Sequence, residues 1–160
     1  MAGVEEAEPR WLTDCEQAAW RASLHAHMLL LRQIDLDLRA DGLSRHDYEI
    51  LVVLSEAPGR RMRMTELAEA TSQTRSRLSH QISRMQARGL VRREEYEGDK
   101  RGMIAALTQT GMDTIVQVAP RHVESARRHF IDRLTPEQLE DIRVIFEPIV
   151  DYLRKIRPRD

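Results

Sequence analysis

Leu24, Met28, Leu31 and Leu38 recur at helical spacing, and Leu29, Leu30, Ile34 and Leu36 widen that stripe into a broad apolar face. Thr13 and Glu16 form a T-x-x-E capping box ahead of the stripe and Gly42 follows it, so a helix is predicted from there to about Ala40. Such a helix has roughly 27 residues and spans ~40 Å at 1.5 Å per residue. A face that broad is too wide for one neighbour, and the length predicts packing against a second chain.

The pattern then shortens. Ser44 caps a second helix to about Glu56, with Tyr48, Leu51, Val52 and Ser55 on one stripe, and Pro58-Gly59 stops it. After the basic stretch RRMRM at 60–64, Thr65 caps a short third helix to Thr71, and Ser72 can cap a fourth that ends at Gly89. Two extended segments follow, LVRREEY and MIAALT, joined by EGDKRG. A fifth helix is expected from Gln109 to about Arg133, bent at Pro120. Thr135-Pro136-Glu137-Gln138 starts a sixth, striped by Leu139, Ile142, Ile145, Phe146, Ile149 and Leu153 and kinked at Pro148.

Composition narrows the class. With 160 residues, 41% of them apolar and 32% charged, the chain is an ordinary globular protein without a membrane span or a signal peptide, which sets the expectation of a cytoplasmic location. A single cysteine, Cys15, excludes an internal disulfide framework. The net charge of -1 hides a segregation. Residues 1–19 carry Glu5, Glu6, Glu8, Asp14 and Glu16 against Arg10 alone, whereas residues 73–88 carry Arg75, Arg77, Arg84 and Arg88 and no acid. A local basic patch, not the overall charge, is what phosphate binding requires.

Element order and charge together outline a winged helix-turn-helix. In the fourth helix Leu78, Ile82 and Met85 face a core, and the opposite face holds Gln73, Ser76, Arg77, His80, Ser83 and Arg84. Arg can reach a guanine edge bidentately and Gln an adenine edge, and a helix N-terminus directs amides at phosphate. The same face also reads as an ordinary solvated helix surface. In the hairpin, Asp99 and Arg101 lie two apart and share one side of an extended chain, so the carboxylate can brace the guanidinium for a narrow minor groove, with Lys100 left for the backbone.

The stretch DKRGMIAALTQTG (99–111) resembles the wing signature of the MarR family, D-x-R followed by five residues and then L-T-x-x-G. The run MTELAEATSQTRSRLSHQISRMQARGLVRR (64–93) is similar to that family's recognition region, and LTPEQL (134–139) also matches, so the resemblance covers nearly the whole chain. It implies a mainly α (α+β) fold: a winged helix-turn-helix lobe at 43–108 with a two-stranded wing, beside an intertwined helical dimerisation region at 11–42 and 109–157, after a flexible 1–10. It further implies a homodimeric regulator, a repressor in the first instance, that binds pseudo-palindromic double-stranded DNA. Carried over by position, the DNA-binding residues are Gln73, Thr74, Arg75, Ser76, Arg77, Ser79, His80, Arg84, Lys100 and Arg101, with Asp99 as the wing brace. Leu24, Leu31, Phe130, Leu139, Ile142 and Phe146 fall at the dimer interface or in the core.

Such regulators release DNA when a small aromatic or phenolic effector binds, and Trp20, His27, Met28 and Tyr48 are the crevice candidates, equally readable as ordinary core and interface residues. Redox sensing is the next option. Cys15 sits between Asp14 and Glu16, without the cations that would activate its thiol. Metal sensing would use some of the six histidines, but His25 with His27, and His122 with His129, lack the i, i+4 spacing of a ready zinc pair. No cofactor or metal is expected. An enzyme is disfavoured, because no phosphate loop, G-x-S-x-G, H-E-x-x-H or C-x-x-C is present. A helical interaction protein that does not bind DNA is the remaining alternative.

Overall fold

The structure is a computed structural model and describes residues 8–96 and 102–156. Helix α1 (Asp14–Arg39) opens on the expected capping box, in which Thr13 Oγ1 accepts from the Glu16 amide and Glu16 returns to the Thr13 amide. Helix α2 (Arg45–Glu56) repeats the device with Ser44 and Asp47. Helix α3 (Met64–Ala70) starts one residue before Thr65, without a side-chain cap, and leads through a tight turn to α4 (Arg75–Ala87). Strands β2 (Val91–Glu95) and β3 (Met103–Leu107) precede α5 (Gln109–His129) and α6 (Pro136–Ile156).

The sheet, the cap of α4 and the end of α5 also differ from the sequence expectation. The sheet has three strands, because Arg61–Arg63 form β1 and pair antiparallel with β3 in the order β1-β3-β2. A three-residue Arg-Met-Arg run is too short to show periodicity, and its partner lies some forty positions downstream. Next, α4 is capped by Thr74, whose Oγ1 accepts from the Arg77 amide, so Ser72 and Gln73 belong to the turn and Ser72 takes a φ of 53°. Finally, α5 stops at His129 and the segment 131–133 forms a separate 3-10 turn. Both long helices continue through Pro120 and Pro148.

The core sits in the winged lobe. Ile50, Leu51 and Leu54 of α2, Leu67 of α3, Leu78, Ile82 and Met85 of α4 and Ala105 of β3 are fully buried together. At roughly 25 cal/mol per Å2 of apolar surface removed from water, this cluster dominates the stability of the lobe.

The terminal helices have no comparable core within one chain. None of the residues of α6 is buried, and Ile145, Phe146, Ile149, Tyr152 and Leu153 are all exposed. The C-terminal half of α1 is attached to its neighbours through acids: Asp37 accepts from Ser125 Oγ at 2.6 Å and faces His129 Nε2 at 3.1 Å, while Asp35 accepts the Arg45 amide at 2.9 Å. Asp41 pairs with Arg121. The Ser125 hydroxyl, ahead of Gln33 and His129, holds the Asp37 carboxyl below its ordinary range, and the Arg45 amide does the same for Asp35. Among the described residues no helix is long and apolar enough to cross a membrane.

Candidate nucleic-acid interface

Helix α4 separates two chemistries cleanly. Leu78, Ile82 and Met85 are wholly buried, whereas Arg75, Ser76, Arg77, Ser79, His80, Ser83 and Arg84 are exposed. Its first turn carries no acid, so the partial positive charge of the helix N-terminus is not neutralised by its own side chains. Cations, hydroxyls and free amide donors therefore converge on one exposed surface. That surface can accept phosphate and can offer donors to base edges.

Two of the expected contact residues have other duties. Gln73 is buried, at 6% exposure, and so is not on the outward face assigned to it by helical projection. The projection failed because it continued the helix backward past Thr74, into a turn where Gln73 N–H donates to the Ala68 carbonyl at 2.9 Å. Thr74 uses its hydroxyl as the helix cap. Asp99, Lys100 and Arg101 lie outside the described residues; the hairpin is described as far as the Tyr96 amide, which donates to the Gly102 carbonyl at 3.0 Å.

Sequence reasoning missed the residue that ties the wing to this helix. Arg93 of β2 donates through Nη2 to the Ser79 carbonyl at 2.8 Å, to Ser83 Oγ at 3.0 Å and to Ser79 Oγ at 3.2 Å. One guanidinium thus fixes the wing strand against the middle of α4. Beside it, Arg63 of β1 stacks over the Tyr96 ring at 3.8 Å, a cation–π contact at the root of the hairpin. The only signal in the sequence was the untidy alternation of LVRREEY, which places an arginine where a buried strand would have an apolar residue. His46, near the N-terminus of α2, is held below its ordinary pKa by burial first and then by the charges of Arg45 and Arg77.

The four crevice candidates are not gathered. Trp20 and Met28 are both 57% exposed on α1, and Tyr48 packs instead against His122, ring centroids 4.3 Å apart and tilted by 47°. His27 lines a groove of about 1000 Å3 with Leu36, His129, Phe130, Ile142 and Phe146, between α1 and the C-terminal helices. Leu24, Leu31, Phe130, Leu139, Ile142 and Phe146 are exposed or half-buried, and none belongs to the core. Cys15 is exposed, and among the described residues no cluster of three histidine, cysteine or acidic side chains could hold a metal ion.

Comparison with known proteins agrees with this geometry. The sequence pattern described as "MarR family" matches residues 41–102, the stretch from the turn before α2 to the residue before β3. The solved structure of AbsC, a MarR family transcriptional regulator from Streptomyces coelicolor, is 54% identical and superposes with a TM-score of 0.88 over 92% of this chain and 99% of that one. The chain belongs to the MarR family of transcriptional regulators.

Two further relatives extend the likeness. Sco3205, a MarR family regulator from the same organism solved in complex with DNA, is 45% identical with a TM-score of 0.88, covering 91% of this chain and 92% of that one. The transcriptional regulator HosA of Escherichia coli is 32% identical over 98 residues, which are 61% of this chain and 70% of HosA. In a MarR-family regulator the L-T-x-x-G element has a visible task here. Thr108 caps α5 by accepting from the Gly111 amide at 3.0 Å and donates to the Gly89 carbonyl at 2.6 Å, which joins the start of α5 to the end of α4.

Proposed function

We propose that this MarR-family regulator is a homodimer that binds pseudo-palindromic double-stranded DNA and represses transcription, and that a small aromatic or phenolic ligand releases it. The observation that carries this reading is the acid-free exposed face of α4, where Arg75, Arg77, His80 and Arg84 stand above a fully buried Leu78, Ile82 and Met85. In this reading α4 occupies the major groove, and Lys100 and Arg101, braced by Asp99, lie beside the minor groove. Dimerisation is supported by α6, which buries no residue within one chain although Phe146, Ile149 and Leu153 form an apolar stripe. A second copy packed on α1 and α6 removes that surface from water and sets two α4 helices at a fixed spacing.

The groove of about 1000 Å3 containing His27, His129 and Phe130 supports the effector, offering apolar walls and two imidazole rings to an aromatic acid. A ligand that favours one helix spacing over another shifts the population of DNA-competent dimers.

Selection from a random duplex pool tests the reading. Wild-type protein enriches a two-fold-related sequence, its affinity falls steeply as salt rises, Arg101→Ala weakens binding uniformly, and Arg77→Ala also relaxes base preference. A helical interaction protein without DNA binding would enrich no sequence and show no such salt dependence, and that result overturns the proposal.

A further inference from the structure

The exposed face of α4 is supported from below by one buried carboxylate. Asp47 is 6% exposed and its two oxygens serve three residues, Ser44, Gln81 and Arg88. Oδ2 accepts from the Ser44 amide at 3.0 Å and the Ser44 hydroxyl at 2.9 Å, closing the cap of α2, and faces Arg88 Nη1 at 3.5 Å. Arg88 Nη2 in turn donates to the Gly42 carbonyl at 2.8 Å, in the turn between α1 and α2. Oδ1 accepts from Nε2 of Gln81, a buried residue of α4. The Gln81 carbonyl oxygen then accepts from Nη2 of Arg84, one turn further along the same helix and exposed.

We propose that Asp47 is a positioning residue for DNA recognition, acting through Gln81 to aim the Arg84 guanidinium. Donor and acceptor logic leaves a single arrangement. A carboxylate only accepts and a guanidinium only donates, so the amide between them must turn its NH2 toward Asp47 and its oxygen toward Arg84. Asp47 thereby fixes the rotamer of Gln81, and Gln81 withdraws rotamer freedom from a side chain that would otherwise wave in solvent. Less entropy is then lost when Arg84 engages DNA. An asparagine at position 47 can offer its own NH2 to Gln81, which lets the amide flip and turns a donor against the Arg84 donors.

This rests on the DNA reading above, and the experiment separates the two. The probe is the fluorescein-labelled duplex that wild-type protein selects from a random pool, with a scrambled duplex as control. Arg84→Ala is measured in three backgrounds: wild type, Asp47→Asn and Gln81→Met. The last leaves Asp47 with Ser44 and Arg88 as partners, so the cap of α2 survives if Asp47→Asn does not fold; melting curves monitor both.

In the wild-type background Arg84→Ala costs about tenfold in affinity, the scale of one good charged contact. In either altered background the same change costs about twofold, and Asp47→Asn relaxes preference at the same base pair as Arg84→Ala. An equal loss in all three backgrounds, or no loss in wild type, overturns the relay while selective binding by wild type leaves the DNA reading intact. Failure of wild type to select any duplex overturns both. A merely structural role for Asp47 would lower stability and affinity without making the Arg84 effect depend on the background.

Discussion

Replacing Gly111 by alanine sets helix propensity against packing. Gly111 is the third residue of α5, and propensity alone favours the change by up to ~1 kcal/mol. The structure argues for the opposite sign. A Cβ at this position would lie 2.6 Å from Leu107 Cδ1 and closer still to the Leu90 carbonyl oxygen, nearer than real Cβ atoms approach. The leucine side chain can turn aside, but the carbonyl is backbone. It is also held in place, because it accepts from the Thr108 amide at 3.2 Å.

Overpacking of this kind costs about 1–3 kcal/mol, and moving the carbonyl away loosens its hydrogen bond from the Thr108 amide, worth about 1 kcal/mol. After the propensity gain, the net loss is about 2 kcal/mol. A chain of this size loses about 2–4 °C of melting temperature per kcal/mol, so Gly111→Ala melts roughly 4–8 °C below wild type. The assay is thermal unfolding followed by circular dichroism, with both proteins at one concentration because the proposed dimer makes melting concentration-dependent. A variant that melts at or above the wild-type temperature refutes the close approach of the wing strand to α5.

Three other outcomes are expected. Arg93→Ala removes the three contacts to Ser79 and Ser83 and lowers affinity for the selected duplex about fivefold, with melting shifted by only a few degrees; unchanged affinity would show that the wing needs no such clamp. Phe146→Asp combined with Ile149→Asp places two charges on the exposed stripe of α6 and converts the dimer to monomer in light scattering, whereas a persistent dimer places the interface elsewhere. Burial pushes the His122 imidazole below its ordinary pKa, and that of His46 likewise, so the unfolded chain binds these protons more readily. Their contribution to stability is present above about pH 6.5 and declines as pH falls through the lower folded values; urea midpoints at pH 8 and pH 5 should differ less in His122→Phe than in wild type, and an equal difference rejects the assignment.

How much of this was legible depends on how local each interaction is. The starts of α1 and α6 were readable because their caps close between residues three apart: Thr13 with Glu16, and Thr135 with Gln138. Leu78, Ile82 and Met85 declared the buried side of α4 by spacing alone, and their burial left the arginines outside. The breadth of the apolar face on α1 announced a surface one chain could not cover, and Leu24, Met28 and Leu29 remain exposed.

What the chain pattern could not settle involves residues far apart. Strand β1 exists because Met62 meets Ala105 in register, and nothing in Arg-Met-Arg specifies that partner. Gln73 was misplaced because serine and threonine occur at both 72 and 74, and only the packing of the turn against Ala68 and Leu67 decides which of them caps α4. The site shows the same division. Sequence determined which cations α4 presents, since a 3.6-residue period leaves them no inward position. Tertiary structure alone decided which of them are held: Asp47 of α2 reaches Arg84 only through Gln81, and Arg93 reaches α4 only once the sheet has paired. Local periodicity fixes a side chain's direction, whereas its orientation in space depends on hydrogen-bond partners that folding brings from other elements.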